Sequence, residues 1–189
     1  MAELSTTFEL DRTWRLLRGE MDTSKEPALM GLARVLEASG TRYAIIGGIA
    51  AQVHLEEPRT TIDIDVAVSD RGGLPRQALT AAGFRHTGAH AHSDNWIGPG
   101  EVPVQFTDDA RLHGCLGRCD RVQLGPVELR VLSVADLLQA KLLAARDRSR
   151  RRSKRFQDLA DIDSLVTSRP ELDVLLTDGD RAMLNALGV

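Results

Sequence analysis

The chain has 189 residues, with 24 Lys and Arg against 27 Asp and Glu, a net charge of -3, few aromatics and an ordinary apolar share. That length suits one domain with a substantial core, and the slightly acidic balance gives no sign of a wholly basic nucleic-acid binder. No apolar run of about 18 residues occurs, so no membrane-spanning helix is expected; no signal peptide is apparent, which points to the cytoplasm, with Cys115 and Cys119 as reduced, semi-buried thiols.

In chain order, residues 1–26 form an N-terminal arm in which 8–18 read as an amphipathic helix carrying Phe8, Leu10, Trp14 and Leu17. A core follows over residues 27–131. Its first helix, 27–38, carries Leu29, Leu32, Ala33, Val35 and Leu36 and closes at Gly40. A strand over 42–46 runs into Gly47-Gly48, and a short helix over 49–55 ends before Pro58. Arg59-Thr60-Thr61-Ile62-Asp63-Ile64-Asp65-Val66 then alternates carboxylates with β-branched residues. On a strand, Asp63 and Asp65 share one face, and Ile62, Ile64 and Val66 fill the other.

Gly72, Gly73 and Pro75 mark a turn before a helix over 74–82, which closes at Gly83. Residues 84–87 begin a short strand, and 86–94 read as a polar loop in which His90 and His92 lack a third ligand. A strand is predicted over 102–107, irregular sequence over 113–125, and another strand over 127–131. The C-terminal helical segment, 132–189, has Ser133 capping a helix over 134–148, a second helix over 154–168 ended by Pro170, and a short one over 178–187. These elements define an α+β (mixed α/β) class: a small mixed sheet flanked by helices, with a helical tail.

The chemistry concentrates at the Gly pair and the paired acids. Adjacent carboxylates repel, raising one pKa unless a cation lies between them. Mg²⁺ usually takes one or two carboxylates plus substrate phosphates. Glycine lets backbone approach a ligand closely, and the helix behind it offers free N–H groups to phosphate. Gly47, Gly48, Ala50, Arg59, Thr61, Asp63 and Asp65, spaced as they are, resemble the nucleotidyltransferase fold, and within it the AbiEii-type enzymes, the toxin halves of type IV toxin–antitoxin pairs. The resemblance implies an NTP substrate with Mg²⁺ or Mn²⁺ as cofactor, transfer of NMP to a hydroxyl of RNA or protein, and an antitoxin partner.

It also implies a third acid on a neighbouring strand, at the position held here by Gln105 in Val104-Gln105-Phe106. A Gln carbonyl can be a metal ligand beside Asp63 and Asp65, but it brings no charge and is no base. The site would then work with a single well-bound metal, or Asp108 or Asp109 would swing in from the strand end, or the fold would serve only to bind nucleotide or RNA.

In the tail, Lys141 falls on the apolar stripe of Val134, Leu137, Leu138, Leu142 and Ala145. It is read as a clamp on the nucleotide phosphates, or else as a snorkelling lysine. Asp158 and Asp161 share one helix face; they either hold Lys141 and shape the nucleotide pocket, or serve as first-turn acids. From Arg146 to Arg155, seven of ten residues are basic, either a solvated connector or a footprint for a tRNA-like acceptor. An aminoglycoside-type, small-molecule nucleotidyltransferase shares the Gly-Gly and Asp-x-Asp pattern and is the further alternative.

Overall fold

The computed structural model describes residues 8–10, 12–13, 24–56 and 60–186. Of the N-terminal helix predicted over 8–18, Phe8 is buried, whereas Trp14 and Leu17 lie outside the described residues, as do Pro58 and Arg59.

Helix α1 (Glu26–Ala38) starts with Pro27 in its first turn and buries Leu29, Leu32, Ala33 and Leu36, the stripe its helical spacing predicts. Strand β1 (Tyr43–Ile46) leads directly into α2 (Gly47–His54), which starts two residues before the predicted helix because both glycines join its first turn. After β2 (Ile64–Val68) come α3 (Arg76–Ala81), β3 (Arg85–Ala89), β4 (Asp94–Gly98) and β5 (Val102–Thr107). A 3-10 turn over Ala110–Cys115 precedes β6 (Asp120–Leu124) and β7 (Val127–Val131). Helices α4 (Val134–Arg146), α5 (Arg152–Ser168) and α6 (Asp178–Asn185) complete the chain.

The seven strands form one mixed sheet in the order β3-β4-β5-β2-β1-β7-β6. β2 lies at its centre, antiparallel to β1 and parallel to β5. Ile45, Ile64, Val66, Phe106 and Leu129 are fully buried in the sheet, and Leu29, Leu32, Leu36 and Ile49 pack among them from the helices. Each large side chain so buried contributes about 1.5–3 kcal/mol. Among the described residues no helix is long and apolar enough to cross a membrane. Cys115 and Cys119 are free, and burial pushes both thiols up in pKa.

Three strand assignments differ from expectation. The predicted polar loop over 86–94 is a hairpin, with His86 to Ala89 on β3 and Asp94 opening β4. The stretch over 113–125 contains β6. Both β3 and β6 are sheet edges whose residues are mostly exposed, so neither carries the apolar alternation that marks a half-buried strand. β4 alternates normally, but a carboxylate fills one of its inward positions. Asp94 is 2% exposed and accepts from Arg76 Nη2 at 2.5 Å and Trp96 Nε1 at 2.7 Å, with His86 Nε2 at 3.0 Å. In addition, Ile62 is 73% exposed, because β2 begins only at Ile64 and Asp63 precedes it. Helix α4 ends at Arg146, two residues short of the predicted end.

Asp94 ties the β3–β4 hairpin to α3. Asp94→Ala strands the Trp96 N–H in a buried position and is expected to lower stability by about 2–3 kcal/mol, whereas Arg76→Ala, at a half-exposed partner, lowers it by about 1 kcal/mol or less. Urea unfolding of the two variants checks the ranking.

Candidate active site

Because β1 pairs antiparallel with β2, Ile46 stands opposite Asp65, and the turn after β1 must pass close to the Asp65 carboxylate. Gly47 makes that turn with φ at +62°, a left-handed conformation. A Cβ there would lie 2.2 Å from Asp65 Oδ2, and one on Gly48 would lie 2.4 Å from Thr61 Oγ1. The Gly pair therefore admits the chain's own acid and hydroxyl against the first turn of α2, beside its free N–H groups. Thr61 Oγ1 donates to Asp63 Oδ1 at 3.1 Å, which orients the first acid. The Lys25 ammonium, itself buried, donates to the Thr61 carbonyl and pins this segment from α1's end of the chain. Lys25 carries no sequence signal; it becomes visible only once the fold has brought Thr61 to it.

Burial, and then the Asp63 charge, push the Asp65 carboxyl up to about 7, against the pull of Lys141, Lys154 and Arg150. In the parallel register of β2 and β5, Asp65 pairs with Gln105, so the neutral amide occupies the strand position where a third acid is expected. Both alternative acids are already paired with arginines, though Asp109 lines the cleft. Arg71 Nε binds Asp108 Oδ1 at 2.7 Å while its other nitrogens hold the His90 and Ala91 carbonyls at 3.0 Å, and Arg111 chelates Asp109 at 2.5–3.0 Å. Burial opposes ionisation of Asp108, but the Arg71 bonds outweigh it and leave that carboxyl below its usual range; the Arg111 bond does the same for Asp109.

Helices α4 and α5 form the opposite wall. Lys141 is buried, yet its ammonium lies 2.8 Å from Asp158 Oδ1 and 2.6 Å from Asp161 Oδ2. It does not snorkel. Arg150 Nε reaches the second oxygen of Asp158 at 3.0 Å. Since α5 begins at Arg152, Asp158 and Asp161 lie beyond its first turn and act as partners of Lys141, not as dipole-compensating caps. The basic run is partly absorbed in the same way. Arg146 grips Asp180 at 2.5 Å, Arg155 Nε donates to the Ala145 carbonyl at 2.8 Å, and Arg152 stacks on Phe156 at 5.1 Å. Arg148 and Arg151 are exposed.

These parts enclose one cleft of about 920 Å³, lined by Gly47, Gly48, Thr61, Asp63, Asp65, Gln105, Lys141 and Asp158. Its volume suits a nucleotide-sized ligand. Asp161 backs Lys141 from behind, Arg59 lies outside the described residues, and His92 reaches the rim while His90 sits in the hairpin turn, its N–H on the Ser93 carbonyl. Among the described residues no group of three His, Cys, Asp or Glu side chains is placed to hold a metal. Two carboxylates and an amide carbonyl nevertheless fit a hard cation, which needs few protein oxygens when phosphates complete its shell. Burial and then the Asp63 charge raise the Asp65 pKa, and such a cation would offset both.

No protein-family model and no curated protein matches the chain. Solved structures do. An antigenic nucleotidyltransferase-like protein from Paracoccidioides brasiliensis aligns over 76% of each chain with TM-score 0.55 and 23% identity. The solution structure of the antibiotic-resistance factor ANT(2'')-Ia aligns over 89% of this chain and 97% of that one, with TM-score 0.60 and 16% identity. The crystal structure of the same factor with adenylyl-2''-tobramycin aligns over 85% and 95%, with TM-score 0.54 and 16% identity. The chain has the nucleotidyltransferase fold.

Two outcomes are expected from this geometry. The folded state holds the Asp65 proton more tightly than the unfolded chain, so metal-free stability falls as pH rises from about 4 through about 7. Asp65→Asn flattens that slope and raises the unfolding midpoint at alkaline pH, as thermal melts in EDTA across this range will show. Lys141→Met leaves Asp158 and Asp161 facing each other in the interior and is expected to cost about 3–5 kcal/mol in urea unfolding.

Proposed function

We propose that this protein is a Mg²⁺- or Mn²⁺-dependent nucleotidyltransferase that moves an NMP from an NTP to a hydroxyl acceptor. The observation that carries this is the pairing of Asp63 and Asp65 at the floor of a nucleotide-sized cleft, against the Gly47-Gly48 turn, with Asp65 pushed up to about 7. Asp63, Asp65 and the Gln105 carbonyl would hold the cation. When bound, it supplies positive charge to the triphosphate and to the developing pyrophosphate, and lowers the pKa of the attacking hydroxyl. Thr61 keeps Asp63 oriented. Lys25 fixes the backbone carrying both, and the first N–H groups of α2 face the phosphates. Lys141, with Asp158 and Asp161, builds the wall against which the nucleotide lies.

The acceptor we favour is a hydroxyl of RNA, such as a tRNA-like 3′ end, or of a protein, and the chain would be the toxin-like, AbiEii-type member of a toxin–antitoxin pair in the cytoplasm. This follows the Gly-Gly, Asp-x-Asp and basic-run pattern of the sequence. A second reading, a small polyhydroxyl acceptor, is favoured by a specific observation: Arg146, Arg150 and Arg155 already pair with groups of the protein itself, which thins the basic run as a polyanion surface. The likeness to ANT(2'')-Ia, a structure holding an adenylylated aminoglycoside, points the same way.

Titration with each of the four NTPs, with and without Mg²⁺, tests the proposal. One NTP should raise the unfolding midpoint only with Mg²⁺, stabilising the fold by about 2.7 kcal/mol at a hundredfold excess over Kd, and Asp63→Asn with Asp65→Asn should abolish the effect. Labelled transfer from that NTP to tRNA, protein or aminoglycoside then identifies the acceptor. Nucleotide binding with no transfer to any of them would make the protein a binding module on the same fold.

A further inference from the structure

Three cations bear on Asp65: Lys141, Lys154 and Arg150. They differ in what already neutralises them. Lys141 is held at 2.8 and 2.6 Å by Asp158 and Asp161, and Arg150 reaches Asp158 at 3.0 Å. Each of those two cations is therefore already met by a carboxylate of α5. Lys154 lines the same cleft but is exposed, and among the described residues no carboxylate pairs with its ammonium. It occupies the first turn of α5, a turn without an acid, where the helix dipole disfavours a cation. A lysine there contributes nothing to the helix. A charge kept at an unfavourable position, facing a pair of acids across a cleft, matches a polyanionic ligand bound between them.

We infer that Lys154 is the residue that meets the polyphosphate of the nucleotide, and that Lys141 is a positioning residue, fixing α5 against α4 through Asp158 and Asp161 so that Lys154 stays on the cleft wall. The inference rests on the nucleotidyltransferase proposal and deepens it: the ligand class is a nucleoside triphosphate, recognised by charge at its β and γ phosphates. Lys154 is exposed in the cleft, and gains charge-assisted hydrogen bonds when the polyphosphate arrives.

The test compares NTP, NDP and NMP of one base, binding by calorimetry with Mg²⁺ to the full-length wild type and to Lys154→Met, Lys154→Arg, Lys141→Met and the milder Asp161→Asn. Lys154→Met should weaken the triphosphate about tenfold or more and the monophosphate less than about twofold, with Lys154→Arg restoring most of the loss. Lys141→Met, or Asp161→Asn should the former not fold, should lower the unfolding midpoint and weaken all three nucleotides alike. Wild-type affinity for the triphosphate in Lys154→Met overturns the inference and leaves the nucleotidyltransferase proposal standing. So does a loss in the Lys141 or Asp161 variant confined to the triphosphate. If the wild type binds none of the nucleotides, the underlying proposal falls, and this inference with it.

Discussion

The site depends on one close approach, that of the Asp65 carboxylate to the first turn of α2. Any side chain at Gly47 would collide with it, since an added Cβ falls 2.2 Å from Oδ2. From this contact the rest follows. The antiparallel register of β1 and β2 places Asp65 opposite the end of β1, and the parallel register of β2 and β5 places Gln105 beside it. The free N–H groups of the α2 terminus offset part of the charge that burial and Asp63 make unfavourable. The remaining imbalance leaves the Asp65 carboxyl pushed up to about 7.

The opposite wall obeys a different rule. Helices α4 and α5 are joined through Lys141, Asp158 and Asp161, all buried, with Arg150 closing the outer side of Asp158. An ionic cluster in a protein interior adds little net stability compared with apolar packing, because desolvation consumes most of the attraction. It does impose a strict geometry, because any shift of α5 along α4 strands a charge. The arrangement therefore serves placement more than stability, and what it places is the first turn of α5 on the cleft.

Much of the floor was legible in the sequence because its parts are local. Gly47-Gly48 and Asp63-x-Asp65 lie within a stretch of strand, helix and strand, and Ser133 announces α4 by accepting from the Asp136 N–H. Lys141 could be flagged as an ammonium on an apolar stripe, and its partners as two acids on one helix face; that they pair with each other needed the packing of α4 on α5. Lys25 was invisible because its contact, the Thr61 carbonyl, is 36 residues away. The strand begun over 84–87 is β3, but its run to Ala89 and all of β6 were missed because edge strands need no apolar face, and β4 because its inward position at Asp94 is satisfied by hydrogen bonds from Arg76 and Trp96, with His86 alongside, which local pattern cannot bring together.

Gln105 sets the electrostatic character of the centre. A third carboxylate at that register position would stand beside an acid already pushed to about 7, and the floor would carry three like charges in a half-buried site. The amide keeps an oxygen ligand there and removes that repulsion. With two acids the floor matches the charge of a single divalent cation, whereas three would call for a second ion or a further cation from the protein. Asp108 and Asp109, held by Arg71 and Arg111, cannot add charge without breaking those pairs. What is given up is a base, since an amide accepts no proton at neutral pH. Gln105 thus exchanges proton-accepting power for a lower charge at the floor, and the cations near Asp65, Lys141, Lys154 and Arg150, all come from the α4–α5 side of the cleft.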